Sequence, residues 1–133
     1  GEAGVIAIFT GAMIASEPVK IFGDGKDERD YVYVSDIVDG FLKAAEKGGP
    51  TVYNLGSGTG TCPNELAARL IALTETSVRP EYGPSRPGDI HMVRLNPTKA
   101  REHLGWEVTI DLDEGMKCTV DFFQHEASNS RNA

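Results

Sequence analysis

The sequence is poor in cysteine. Cys62 and Cys118 are the only two among 133 residues, and their separation fits neither a CxxC motif nor the usual spacing of zinc ligands. We expect two reduced thiols, as is usual in the cytoplasm, with a single disulfide as the alternative.

Basic residues and long apolar runs are also scarce. The chain has 13 Lys and Arg against 20 Asp and Glu, a formal net charge of -7. Binding to nucleic acid or to an anionic membrane needs a basic surface, so we expect neither partner. No apolar run is as long as a membrane span. The opening GEAG has no basic region and no cleavage site of a signal peptide. We therefore expect a cytoplasmic protein.

Strand-like and helix-like segments alternate along the chain, which indicates an α/β fold. Apolar periodicity and capping residues predict about five helices. They lie at 4–15, from Ser35 to Lys47, from Pro63 onward, from Asn96 to Gly105, and after Asp111. Short strands are predicted at 18–22, 30–34, 51–56 and 78–82. We assign residues 1–126 to one small domain and residues 127–133 to a disordered tail.

The glycine-rich loop GSGTG at 56–60 lies between a predicted strand and a predicted helix, where dinucleotides are often bound. Its spacing is GxGxG, and Thr61 stands where the third glycine of GxGxxG belongs. We interpret the loop as a structural turn, with a cofactor loop as the alternative. The three histidines have no metal-ligand spacing, so no metal site is predicted. We interpret Cys62 as a helix cap rather than a reactive thiolate.

Two arginines stand out from the acidic background. Arg86 lies in GPSRPGD, where prolines on both sides stiffen the backbone. A guanidinium held in place loses little entropy when it binds phosphate oxygens with two hydrogen bonds. Arg29 precedes the apolar segment DYVYV. The alternatives are ordinary: Arg29 pairs with Asp30 or Glu28, and Arg86 is a solvated loop cation.

Six motifs occur in a characteristic order: IFGDG, RDYVYVSD, VYNLGSG, NELA, RPGD and KAREHLGW. Together they resemble the C-terminal part of the extended short-chain dehydrogenase/reductases. Within that group, the chain looks most like the UDP-glucose 4-epimerases and related NAD-dependent nucleotide-sugar epimerases and dehydratases. The resemblance extends from about Gly4 to Gln124.

The resemblance implies a site for a nucleotide sugar, with UDP-hexose as the expected ligand. Arg29 and Arg86 match two arginines that contact the diphosphate, and Asp89 matches the carboxylate that holds the ribose. Residues 20–22 match a strand whose backbone meets the uracil. The implied substrate-binding residues are Lys20, Ile21, Phe22, Arg29, Arg86, Pro87, Gly88 and Asp89.

The N-terminal half of these enzymes carries the glycine-rich NAD site and a YxxxK catalytic pair. Neither motif occurs here, and none of the four tyrosines is followed four residues later by lysine. The resemblance therefore implies the substrate-binding part of a larger enzyme, lacking the Rossmann half and not catalytic alone. We expect this chain to bind no cofactor and the parent enzyme to bind NAD. Expected partners are the NAD-binding half and, for the isolated chain, further copies of itself.

The implied parent activity is an isomerase reaction at C4 of the sugar, in which NAD removes a hydride and returns it to the other face. Two alternatives remain open. The chain is the same part of a nucleotide-sugar 4,6-dehydratase or decarboxylase, or it is a non-catalytic module that binds a nucleotide sugar or a protein.

Overall fold

The computed structural model describes residues 4–131, which contain five helices and two short strands. This confirms the predicted α/β class with few strands and about five helices. In chain order the elements are α1 (Val5–Ile14), β1 (Lys20–Phe22), α2 (Val34–Lys47), α3 (Pro63–Thr74), β2 (Glu81–Gly83), α4 (Thr98–Leu104) and α5 (Leu112–Arg131).

These elements belong to two compact units whose segments alternate along the chain. The first unit comprises residues 4–27, 62–91 and 116–131, and the second comprises residues 28–61 and 92–115. The sequence predicts one domain and does not reveal this division. An apolar pattern shows which residues are buried, but not which distant segments bury them together.

In the first unit, α1 packs against α3, and β1 pairs with β2 in a parallel two-stranded sheet. The apolar faces of α1, α3 and α5 are largely buried, although Ile8 is exposed. The most deeply buried apolar side chains of this unit are Phe9, Met13, Val19, Ile21, Leu66, Ala67, Leu70, Met116 and Val120.

Two predicted strands, at 30–34 and 51–56, are wrong for the described residues. This part of the chain forms only isolated bridges, which join Arg29 to Thr61 and Glu28 to Met92. An alternating sequence favours extended backbone, but a strand also needs a neighbour to pair with. Sequence periodicity does not identify that neighbour.

Three helix ends also differ from the prediction. Tyr33, not Ser35, is the N-cap of α2, and α4 begins after Pro97. The tail predicted to be disordered is helical as far as Arg131, and residues 132–133 lie outside the described part. Within this end, Ser128 Oγ donates to the carbonyl of Gln124, one helical turn earlier, at 2.9 Å.

Trp106 is the centre of the second unit and is fully buried with Ala100 and Leu104 of α4. The chain turns back at Gly105, whose φ of 66° suits a residue without a side chain. The N–H of Trp106 then donates to the carbonyl of Ala100 at 3.3 Å. Trp106 thereby packs back on the helix that precedes it.

Asp36, in the first turn of α2, is buried in the same unit. Its carboxylate accepts hydrogen bonds from Thr109 Oγ1 at 2.5 Å and from the N–H groups of Thr109 and Ile110 at 3.0 Å. Its backbone carbonyl accepts the indole N–H of Trp106 at 2.7 Å. Burial alone would raise the pKa of Asp36, but the hydrogen bonds that its carboxylate accepts from Thr109 and Ile110, together with the nearby charge of Lys43, lower it below its ordinary value.

We predict that Asp36 makes the stability of the chain sensitive to acid. Because its pKa is lower in the folded than in the unfolded chain, the carboxylate stabilises the fold above the unfolded pKa of about 3.9. This contribution is lost as the pH falls through the folded-state pKa. Asp36→Asn should reduce the free energy of unfolding by about 1–3 kcal/mol at pH 7. In thermal melts, the difference in stability between this variant and wild type should become smaller as the pH is lowered.

The matched control is Asp39→Asn in the same helix, because Asp39 is more exposed and pairs with Lys43 across one turn. That variant should change stability by less than about 0.5 kcal/mol. A constant difference between wild type and Asp36→Asn from pH 7 to pH 3 would contradict the prediction.

One face of α2 is apolar and exposed. Val34, Val38, Phe41 and Leu42 are each between 50% and 68% exposed. Their spacing places them together on the helix surface, and the other side of α2 contacts α4. An exposed apolar patch of this kind usually marks an interaction surface.

We predict that this face makes the isolated chain self-associate. Light scattering between low and high micromolar concentration should show a rising average mass, and Phe41→Ser should reduce the rise. Phe122→Ser is the matched control, since Phe122 is an exposed phenylalanine on α5. A monomer at every concentration, or equal effects of both substitutions, would contradict the prediction.

Candidate functional site

The predicted base-binding strand is β1, in the first unit. Ile21 is buried, Lys20 is exposed and Phe22 is half-buried at the end of the strand. The register pairs Lys20 with Glu81, Ile21 with Tyr82 and Phe22 with Gly83. Phe22 therefore lies beside the point where β2 ends and the loop containing Arg86 begins.

The backbone of β1 offers polar groups on the edge that faces away from β2. The carbonyl of Val19 accepts the N–H of Glu81 at 2.8 Å, and the N–H of Gly23 donates to Gly83 at 3.0 Å. Backbone groups alternate in direction along a strand, so those of Lys20 and Phe22 point to the opposite edge. No third strand of the described chain covers that edge. Such an edge can form hydrogen bonds with a planar polar ring.

Arg86 stacks on the aromatic ring of Phe22. Its guanidinium carbon lies 3.8 Å from the ring centroid, within the range of a cation–π contact. Within residues 4–131, its side chain forms no hydrogen bond and no ion pair. Phe22 thus contacts one face of the guanidinium and leaves the N–H edges open to an anion.

The other residues of the RPGD loop follow Arg86 along the chain and are all exposed. The N–H of Asp89 donates to the carbonyl of Arg86 at 3.3 Å, which closes the loop into a turn. Gly88 has a φ of 88°, a conformation that residues with a side chain rarely adopt. In the described part of the chain, the Asp89 carboxylate has no hydrogen-bonding partner.

Arg29 belongs to the second unit, so it is described apart from the other predicted site residues. Its backbone is held by two hydrogen bonds with Thr61, at 3.1 and 2.9 Å. Its Nη1 donates to the carbonyl of Glu28 at 2.8 Å. The carboxylate of Glu28 is instead bound by Arg94. The side chain of Arg29 therefore binds the backbone carbonyl of Glu28, while the carboxylate of Glu28 binds Arg94.

Asp30 organises the glycine-rich loop, a role that sequence reasoning missed. Its carboxylate accepts hydrogen bonds from Ser57 Oγ at 2.6 Å and from the N–H groups of Ser57, Gly58 and Leu95 at 2.9–3.0 Å. Burial acts to raise the pKa of Asp30, but these hydrogen bonds outweigh it, and the pKa is lowered. The loop amides that would bind a phosphate already bind a carboxylate, which favours the structural interpretation of GSGTG.

Cys62 caps α3. The carboxylate of Glu65 accepts its backbone N–H at 3.0 Å, as in a capping box, and this bond lowers the pKa of Glu65. Both cysteines are free thiols. The described residues contain no cluster of three metal-binding side chains. None of their helices is both long and apolar enough to span a membrane.

Comparison with known proteins establishes the family. The family model described as GDP-mannose 4,6 dehydratase matches residues 4–119. The chain belongs to this NAD-dependent epimerase/dehydratase family. It is 44% identical to the UDP-glucose 4-epimerase of Mycolicibacterium smegmatis over 128 residues, which is 96% of this chain and 41% of that protein. The family predicted from the six motifs is thereby confirmed.

Two solved structures show the same fold. The UDP-glucose 4-epimerase of Thermotoga maritima, solved with UDP-glucose, is 49% identical with a TM-score of 0.93, over 96% of this chain and 41% of that one. The UDP-glucose 4-epimerase of Thermus thermophilus, solved with NAD, is 32% identical with a TM-score of 0.82, over 93% and 41%. The chain thus spans about 41% of the length of these relatives.

We predict that the chain does not bind NAD at micromolar concentration. The amides of Ser57 and Gly58 are used by Asp30, and the loop lacks the third glycine of the dinucleotide motif. Calorimetric titration with NAD should give no binding heat, and UDP titrated in the same buffer is the comparison. Micromolar NAD binding that Asp30→Ala alters would show that GSGTG is a cofactor loop.

Proposed function

We propose that this chain forms the nucleotide-binding part of the substrate site of an NAD-dependent nucleotide-sugar epimerase, with a UDP-hexose as the ligand. The observation that carries the proposal is the Arg86 guanidinium, which is stacked on Phe22 with its N–H edges open. Phe22 is the last residue of β1, and no described strand covers the other edge of β1. The likeness to an epimerase solved with UDP-glucose supports UDP-hexose as the ligand class.

Each part of a nucleoside diphosphate has a chemical counterpart in the first unit. The backbone of Lys20 and Phe22 suits the polar edge of a uracil. The guanidinium of Arg86 suits the diphosphate, because a planar fork binds phosphate oxygens with two hydrogen bonds. The open carboxylate of Asp89 suits the two hydroxyls of a ribose. For Arg29, the contact with a diphosphate stays a prediction from the family resemblance.

The role of these contacts is to orient the sugar. In the whole enzyme, NAD supplies the hydride chemistry at C4. The residues of this chain act on the nucleotide, away from the reacting carbon. Binding free energy from such a remote group holds the sugar in a reactive orientation and thereby raises the rate.

The main alternative is the same binding role in a 4,6-dehydratase or decarboxylase. The description of the matching family model, GDP-mannose 4,6 dehydratase, supports the dehydratase as an alternative. The preference among UDP-, dTDP- and GDP-sugars discriminates between these enzymes in part. A module that binds protein instead would show no nucleotide preference.

The test is calorimetric titration of the chain with UDP and with uridine. Arg86→Ala should weaken UDP binding on the order of 10- to 100-fold, the range expected for a lost hydrogen bond to a charged group. Arg86→Lys should restore only part of this, because an ammonium keeps the charge but loses the planar fork. Uridine has no phosphate, so its affinity should hardly change.

Two further variants serve as controls. Arg79→Ala removes another exposed arginine of the same unit and should leave UDP binding unchanged. Asp89→Asn should weaken uridine and UDP equally, because its expected partner is the ribose. If Arg86→Ala weakens uridine and UDP equally, Arg86 does not bind the diphosphate. If UDP does not bind at all, the proposed function is wrong.

A further inference from the structure

Asn64, in the first turn of α3, connects this helix to two other parts of the first unit through its polar groups. Its backbone N–H donates to the carbonyl of Gly25 at 3.2 Å, and its side-chain amide donates to the carbonyl of Asp24 at 2.9 Å. Its side-chain oxygen accepts the hydroxyl of Tyr82 at 2.8 Å. One residue thus binds the turn that follows β1 and the middle residue of β2.

The turn is shaped to receive this side chain. Gly25 is buried with a φ of 71°, and a Cβ there would lie 2.3–2.9 Å from the amide atoms of Asn64. A Cβ at that distance would displace the Asn64 amide from its hydrogen bonds, so the turn favours glycine both for its conformation and for this contact. The polar groups of Asn64 therefore form hydrogen bonds with other residues of the protein.

The two segments held by Asn64 lead directly to the stacked pair. The turn at 23–25 follows Phe22, and Tyr82 is four residues before Arg86. The segments also meet each other, because the N–H of Gly23 donates to Gly83 at 3.0 Å. A Cβ on Gly23 would lie 3.5 Å from that of Ser85, the neighbour of Arg86. The position of the Arg86 loop relative to Phe22 thus depends on contacts that Asn64 fixes.

We propose that Asn64, acting through Tyr82 and the turn at 23–25, is a positioning residue for the Arg86–Phe22 pair, an inference that rests on the proposed function. Asn64 touches no part of the nucleotide. It keeps the loop in the conformation that presents the guanidinium. When a binding-competent conformation is populated only part of the time, the apparent affinity falls by that fraction.

The test is a double-mutant cycle on UDP affinity, with Tyr82→Phe as the mild variant. This change removes one hydroxyl, keeps the ring and leaves Asn64 in place. It should weaken UDP binding on the order of 3- to 10-fold, the range of a single net hydrogen bond. In the Arg86→Ala background the same change should have almost no effect, because the group being positioned is absent.

A purely structural role gives a different pattern. Thr74→Val is the matched control, since Thr74 Oγ1 donates to the carbonyl of Leu70 at 2.7 Å near the other end of α3. It lies about 15 Å along the helix from Asn64. It should lower the melting temperature about as much as Tyr82→Phe does, yet leave the UDP affinity unchanged.

The outcomes separate the two proposals. If Arg86→Ala weakens UDP binding but Tyr82→Phe has no effect, or the same effect in both backgrounds, the positioning role is wrong and the proposed function stands. If UDP does not bind to wild type, the proposed function is wrong, and the positioning role fails with it. Asn64→Ala should weaken UDP binding more than Tyr82→Phe does. An unchanged UDP affinity in a folded Asn64→Ala protein also overturns the inference.

Discussion

The parallel register of β1 and β2 is the constraint on which the candidate site depends. It pairs Phe22 with Gly83, so the last residue of one strand lies beside the start of the loop that carries Arg86. A shift by one residue would turn the side chains of the shifted strand to the opposite face. The register is fixed by a core residue, because Ile21 between the two more exposed positions is almost fully buried. Burial of one side chain therefore determines where the stacked pair forms.

The acidic composition has a structural use in the second unit. Asp30 and Asp36 each accept several hydrogen bonds from backbone N–H groups and hydroxyls far away in sequence. A carboxylate accepts at two oxygens, so one residue can hold two or three segments that form no regular sheet with each other. This explains how residues 28–61 and 92–115 form a compact unit without a described strand. Part of the net negative charge thus comes from carboxylates that hold the second unit together.

The sequence predicted the local features well and the distant ones poorly. The helices were predictable because apolar periodicity and caps such as Asp111 act within a few residues, and RPGD was recognisable as a stiff loop. The partners of Asp30 lie 27–65 residues away, and Asn64 is 18 residues from Tyr82. No local pattern marks such pairs. The two wrong strands have the same cause, since extended backbone is a local property whereas a pairing partner is not.

The stacking of Arg86 on Phe22 resolves a conflict between charge and binding. In a chain with a net charge of -7, a mobile arginine would easily find a carboxylate, and an anionic ligand would then have to displace it. An aromatic ring holds a guanidinium by its face without neutralising it, and at an exposed position this contact contributes about 0.5–1 kcal/mol. That is enough to favour one position of the side chain over others, while the donors at its edge remain open. Prolines on both sides and the turn closed by Asp89 also restrict the backbone around Arg86. The loop and the ring together keep one cation ready for a phosphate in an acidic protein.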